Sequence, residues 1–442
     1  MTKTDATPRA AFGMRPFRAL RSLTEHPLRR ARIAVALFFL LYGVILGSWT
    51  SRIPAVKQRL GVNDGQLSLA LLAFAAGAIV GMQAVGRLVD RYGSRRVMLP
   101  AALVDSAILL GPAFAPNLPL LVLALFGFGA VHGTLNVAMN TNAVEVQRAW
   151  GRPIISSFHA VYSIGGFIGS ALGGLYARAE LGPAASFATV SGVVVLGVSL
   201  SSRWVLPQRE DKLTTSNASL PADVPTPSQV SDSTLRPAPP SPPSPLARLR
   251  AFLAPSSAVL FLGTLAFCCL VGEGAAADWS AVYLRDNLHT SAGFAATAYA
   301  AFSIAMTAGR LVGDRLTARL GPVRLVRGCG VLASAGLAAG LLVNSPIAGV
   351  IGFACLGAGL SCIVPQVFST AGTRDPARAG EAIARVASLG FIGFIIGPVV
   401  IGGAAEVVGL PAALAIPVVL VFAVALAASA LRPQEAAVTL ER

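Results

Sequence analysis

Apolar residues in this chain come in unbroken runs rather than in alternation, and short charged segments separate the runs. A bilayer's hydrocarbon core is about 30 Å thick and takes roughly 20 apolar residues to cross as a helix. Twelve runs of that size fall between the charge clusters, at 31–50, 66–86, 97–115, 118–140, 154–177, 184–206, 257–277, 291–312, 325–343, 346–370, 383–403 and 411–431. Leu, Ala and Gly fill them continuously, where a barrel strand would alternate over about ten residues. The pattern predicts an all-α membrane protein with twelve transmembrane helices. Arg29, Arg30 and Arg32 precede the first run as they would in a secretion leader. That run is full length and ends at SWTSR without a small-x-small cleavage site, so it predicts a retained first helix.

Composition agrees with this reading. Hydrophobic residues make up 54% of the 442 and charged residues 12%, against about a quarter charged in soluble domains. If both termini are cytoplasmic, 30 of the 35 Lys and Arg residues fall on the inner side and 5 in outer loops. Insertion favours that orientation, because positive charge is retained inside. The expected location is therefore the inner membrane. The bias also accounts for the net charge of +15, with anionic lipid rather than nucleic acid as the electrostatic partner. Cys268, Cys269, Cys329, Cys355 and Cys362 all fall inside predicted helices with no CxxC spacing, so no metal site and no cofactor is expected.

One long hydrophilic interruption breaks the series, and its Pro- and Ser-rich centre, PADVPTPSQVSDSTLRPAPPSPPSP, cannot build a core. It divides the chain into a basic tail at 1–30, a six-helix half at 31–206, a cytoplasmic linker at 207–255, a second six-helix half at 256–431 and a short tail at 432–442. The halves share sequence. GRLVD at 86 returns as GRLVGD at 309, Trp49 has a counterpart in Trp279, and GFIGSALGG at 166 is matched by GFIIGPVVIGG at 393. Nearly constant offsets on helices of equal rank point to a duplicated, pseudo-symmetric bundle.

The densest charge cluster is GRLVDRYGSRR, residues 86–96, directly after the second run. Its arginines serve orientation, but a carboxylate does not, and Asp90 at a helix exit needs an Arg or a helix N-terminus as partner. Two six-helix halves, a cytoplasmic linker and this cluster resemble the major facilitator superfamily and its signature G-x-x-x-D-R-x-G-R-R. Gly86, Asp90, Arg91, Gly93, Arg95 and Arg96 fit that signature, and the second copy is degenerate after Asp314. Within the superfamily the chain resembles a bacterial subgroup that includes a rhizopine-associated membrane protein. The resemblance implies that Asp90 touches the other half when the cytoplasmic side closes. Residues 86–96 are then part of an inner gate, with Glu145 as a further partner.

Polar groups inside the spans are few, and each is a functional candidate because burying it in lipid is costly. His132, Asn136 and Asn140 follow at i, i+4 and i+8 on one face of the fourth helix, and His159 lies at similar depth on the fifth. An offset of 230 sets Gln366 against Asn136. These five residues are candidates to line a substrate cavity, and interhelical hydrogen bonding is the alternative reading. Gly165, Gly169 and Gly173 read as a close-packing stripe. Glu273, inside the seventh span, is the candidate proton carrier: burial disfavours a charged carboxylate, so such a group can load and release protons as its exposure alternates. A fixed salt bridge is the alternative. Arg52 and Asp278, near the outer ends of the first and seventh helices, are candidates to pair as an outer gate. Asp105, mid-span in the third helix, is expected to pair structurally.

The functional expectation is a secondary active transporter moving a small polar solute by alternating access, coupled to protons and working as a monomer. The Asn, Gln, His and Ser inventory suits a neutral, hydroxyl-rich solute such as a sugar or polyol. An efflux antiporter for drugs or metabolites is the alternative, weakened by the absence of a Gly-Pro pair from the fifth helix. A non-transporting sensor is a more distant one. The chain shows neither a clustered nucleophile nor an HExxH or Walker loop, so it is not expected to be an enzyme or an ATP-driven pump.

Overall fold

A computed structural model describes residues 15–205 and 256–432. The linker expected at 207–255 and the tail from 433 onward lie outside the described residues. Helices dominate: α1 (Arg15–Leu60), α2 (Asp64–Tyr92), α3 (Ser94–Ile108), α4 (Leu118–Trp150), α5 (Ile155–Arg178) and α6 (Pro183–Ser201) form the first half. The second half opens with α7 (Ser257–Val282), which continues as a π-turn over Tyr283–Asn287. A single helical stretch, Ala292–Val343, bends at Gly321, whose φ of 73° and ψ of 163° break the helix before Pro322. It therefore supplies two crossings, α8 (292–320) and α9 (322–343). Next come α10 (Pro346–Leu360, resumed at Ile363–Arg374), α11 (Ala379–Val408) and α12 (Ala415–Ala427, preceded by a turn at Leu410–Ala413). Among the described residues, eleven stretches are long and apolar enough to cross a membrane, and the bend at Gly321 makes twelve crossings of them.

Local chemistry sets several of the starts. Asn63 caps α2 in a reciprocal box with Gln66, and Asn117, Ser256, Ser291 and Ser345 accept from the third residue of α4, α7, α8 and α10. Many helices run past the predicted ends of their apolar runs. Arg52 falls within α1, Glu145 within α4 and Arg310 within α8, although the charge pattern puts the first two in loops and counts the third with the cytoplasmic charges. A charge cluster marks where a helix leaves hydrocarbon, not where its backbone hydrogen bonds stop.

Within the halves, α1 packs on α5, α2 on α4, α7 on α11 and α10 on the α8–α9 stretch. The glycine stripe is the reason α1 and α5 can approach so closely. A Cβ on Gly165 or Gly169 would sit 2.1 and 2.2 Å from backbone oxygens of α1, and one on Gly47 would sit 2.1 Å from the Gly166 carbonyl. Between the halves the contacts are α2 with α11 and, as the repeat equivalent, α5 with α8. These two seams flank a cavity in the middle of the bundle.

Candidate functional site: an inner seal and a central cavity

The seams close at one end of the bundle by the same device used twice. Asp90, at the end of α2, accepts from the backbone N–H of Gly380 at 2.7 Å and of Glu381 at 2.9 Å, in the first turn of α11. The first turn of a helix has N–H groups without intrahelical partners and a positive dipole end, so a carboxylate satisfies both. Gly86 makes the approach possible, since a Cβ there would stand 2.9 Å from Glu381 Cα. Glu381 is itself held by Arg378 at 2.7 Å and Arg385 at 2.6 Å. In the second seam Asp314 accepts from the N–H groups of Ser156 at 2.9 Å and Ser157 at 3.1 Å, which open α5. Gln147 of α4 adds a cross-half bond of 2.6 Å to Ser369 of α10. The sequence signals Asp314 as the carboxylate that survives where the second signature decays, whereas nothing in the sequence marks Gln147.

The remaining signature residues do other things. Gly93 turns the chain between α2 and α3 with a φ of 90°, a conformation that favours glycine. Arg95 donates to the Ser202 carbonyl at 3.0 Å, Arg91 stacks over the Tyr92 ring, and Arg96 is exposed. Glu145 is not hydrogen-bonded to Asp90. It accepts from Ser94 Oγ at 2.6 Å and Asn142 at 3.1 Å, tying the start of α3 to α4, because Asp90 is already occupied by the amides of α11.

The central cavity has a volume of about 700 Å³ and is walled by both halves. His132, Asn136 and His159 line it from the first half, and Glu273 and Asp278 from α7. His132 is held from behind: its Nδ1 lies 2.9 Å from the fully buried Asp105, and its ring stacks on Tyr42 with centroids 3.8 Å apart. Asp105 thus has the structural pairing expected of it, and Asn136 donates to the Tyr42 hydroxyl at 3.2 Å. Two predicted lining residues do not reach the wall. Asn140 turns back along α4 to donate to the Asn136 carbonyl at 2.9 Å, and Gln366 donates to Thr317 of α8 at 2.9 Å. Gln366 thus takes the interhelical alternative, whereas Asn140 bonds within its own helix.

The outer pair is not made in this conformation. Arg52 is buried and donates to the carbonyls of Gly173 and Leu181 at the end of α5, while Asp278 lies exposed at the cavity wall. Arg310 also lines the cavity; although it is the repeat counterpart of Arg87, it falls inside an apolar run. Its guanidinium donates to Ser163 Oγ at 2.7 Å. Tyr42 and Tyr162 are further wall residues that the sequence does not single out. On insertion scales an ionised group at this depth costs about 2.5–3.5 kcal/mol. Glu273 and Arg310 are therefore the two most expensive side chains of the cavity.

Twelve crossings in two similar halves, sealed at one end and hollow between them, define a membrane transporter rather than an enzyme. The chain belongs to the Major Facilitator Superfamily, whose family model matches residues 33–379 and 262–441. It is 32% identical to an uncharacterised transporter of this type from Yersinia pestis, over 90% of this chain and 95% of that one. It is 30% identical to the membrane protein MosC of Rhizobium meliloti, over 86% and 85%. Among solved structures, the outward conformation of FucP, a fucose:proton symporter of E. coli, aligns with a TM-score of 0.71 at 18% identity, over 91% of this chain and 98% of that one.

Proposed function

We propose that this chain is a proton-coupled transporter that carries a small polar solute through the inner membrane, with both termini cytoplasmic and the structure representing its outward-facing state. The observation that carries this reading is the pairing of two seams with one cavity. Asp90 and Asp314 close one end through helix N-termini, and that end is cytoplasmic by the charge asymmetry. The cavity behind them exposes Glu273 at membrane depth, where among the described residues no Lys, Arg or His lies within ion-pair distance of it. His132, Asn136 and His159 form the polar part of the solute site, and residues 86–96 form the inner gate together with Asp314. Glu273 loads a proton from the open side and releases it after the halves rock.

The test is solute accumulation in proteoliposomes under an imposed pH gradient. Wild type is expected to concentrate its solute, and Glu273→Gln is expected to equilibrate or exchange it without accumulation. Retained gradient-driven accumulation in Glu273→Gln would remove Glu273 as the carrier.

A further inference from the structure

The central cavity contains a cation with no counter-charge within ion-pair distance among the described residues. Arg310 is 7% exposed, its Nε is a buried atom with no partner, and among the described residues no carboxylate lies within ion-pair distance of it. Its hydrogen bond to Ser163 satisfies one nitrogen and none of the charge. On α5, one turn before Ser163, His159 faces the same cavity, and its Nε2 is likewise buried without a partner. Phe39 and Phe368 flank that imidazole at ring-centroid distances of 5.3 and 6.0 Å. Glu273 lines the cavity from α7, and both it and Arg310 are within electrostatic reach of Tyr162, Tyr299 and Cys269.

We propose that Arg310 and His159 form an anion subsite for the carboxylate of a small organic acid, and that this carboxylate competes with Glu273 for Arg310. The proposal rests on the proton-coupled reading above and narrows its substrate class, away from the neutral solute that the inventory of amides and hydroxyls suggests. A guanidinium is a planar fork that matches a carboxylate in two parallel hydrogen bonds. Arg310 is the sole Lys or Arg among the lining residues, so the site is charged for a monoanion rather than a phosphate dianion. The aromatic flanks suit a solute body with an apolar face.

Charge balance then sets the stoichiometry, because a cavity leaving water closes readily only when its charges cancel. In the empty carrier Glu273 and Arg310 cancel each other. When a carboxylate occupies Arg310, Glu273 carries an uncancelled charge until it takes up one proton. The other ionisable groups of the cavity are Tyr42 on α1, His132 on α4, His159 and Tyr162 on α5, Arg310 on α8 and Asp278 on α7, with Tyr299 on α8 and Cys269 on α7 within electrostatic reach; the lining residues of α10 and α11 contribute none. Loaded and empty forms then carry the same net charge, so one proton moves with each carboxylate.

The experiment uses the purified full chain and matched pairs, gluconate against sorbitol and 4-hydroxybenzoate against 4-hydroxybenzyl alcohol, read by thermal shift and titration calorimetry. At least one acid is expected to raise the melting temperature while its neutral partner does not. Arg310→Gln is expected to weaken that acid at least tenfold and Arg310→Lys by less, with the ligand-free melting temperature not lowered. Binding should take up one proton from weakly buffered medium in wild type and none in Glu273→Gln. A panel in which no acid shifts the melting, or in which neutral partners shift it equally, overturns the subsite, as does acid affinity within twofold of wild type in Arg310→Gln. Proton-driven accumulation of a neutral solute that persists in Arg310→Gln also overturns it while leaving the transport reading in place.

Discussion

At the scale of single residues, the seal rests on two carboxylates that do the same job in different sequence surroundings. Asp90 and Asp314 each accept two backbone N–H groups at the first turn of a helix in the opposite half. Hydrogen bonds to a charged group contribute about 1.5–3 kcal/mol, and the helix dipole adds about 0.3–1 kcal/mol. An Asn can accept with one oxygen and has no charge to offer. Asp90→Asn or Asp314→Asn is therefore expected to shift the balance toward the inward-open state by about 1.4 kcal/mol, a factor of roughly ten. Ser369, which bonds to Gln147 across the seam, is a suitable reporter. A cysteine there, in a background without native cysteines, should react roughly tenfold faster with an impermeant thiol reagent from the cytoplasmic side in either variant. Equal reactivity in wild type and both variants would show that the two aspartates do not hold the seam shut.

At the scale of elements, close glycine contacts decide how helices pair inside a half. Gly43 and Gly47 of α1 meet Gly165 and Gly166 of α5, and Gly169 meets Val44 and Ser48, backbone to backbone, an arrangement lipid cannot drive by hydrophobic exclusion and that dispersion must supply. Gly47→Ala places a methyl 2.1 Å from the Gly166 carbonyl oxygen, so the helices must separate. The expected cost is about 1–3 kcal/mol, visible as a lowered melting temperature in detergent. Gly174, on α5 but with open space around it, serves as the control. Alanine there should be neutral or stabilising by up to about 1 kcal/mol, because glycine is a poor helix former. A Gly47→Ala protein as stable as wild type would mean the stripe is not a packing surface.

At the scale of the whole molecule, the contacts fall into an engaged set at the sealed end and a disengaged pair at the open end. Asp90 and Asp314 are bound, whereas Arg52 is turned onto carbonyls of its own half and Asp278 is exposed. Two rigid halves rocking about a central cavity would exchange these sets, pairing Arg52 with Asp278 as the outer mouth closes. The charge-swapped double variant, Arg52→Asp with Asp278→Arg, should transport better than either single variant. A double variant no better than the worse single one would exclude that pair as the outer closure.

What the sequence determined follows from rules that act along the chain. Hydrocarbon thickness fixes the length of an apolar run, and insertion fixes which loops keep their Lys and Arg, so twelve crossings and a duplicated plan were legible, as was the pairing of Asp105 in kind though not in partner. Helix periodicity placed His132, Asn136 and Asn140 on one face, yet only the first two meet the cavity, because Asn140 bonds to its own helix instead. Gln366 stood at the right repeat position and was absorbed by Thr317. Arg310 was counted with the cytoplasmic charges, because a charge cluster cannot show how far its helix continues or which neighbour it meets. Only tertiary structure brought Asp314 and Arg310 of α8 to Ser156 and Ser163 of α5. Those are contacts between segments more than a hundred residues apart, and no local pattern encodes the rotation that makes them neighbours.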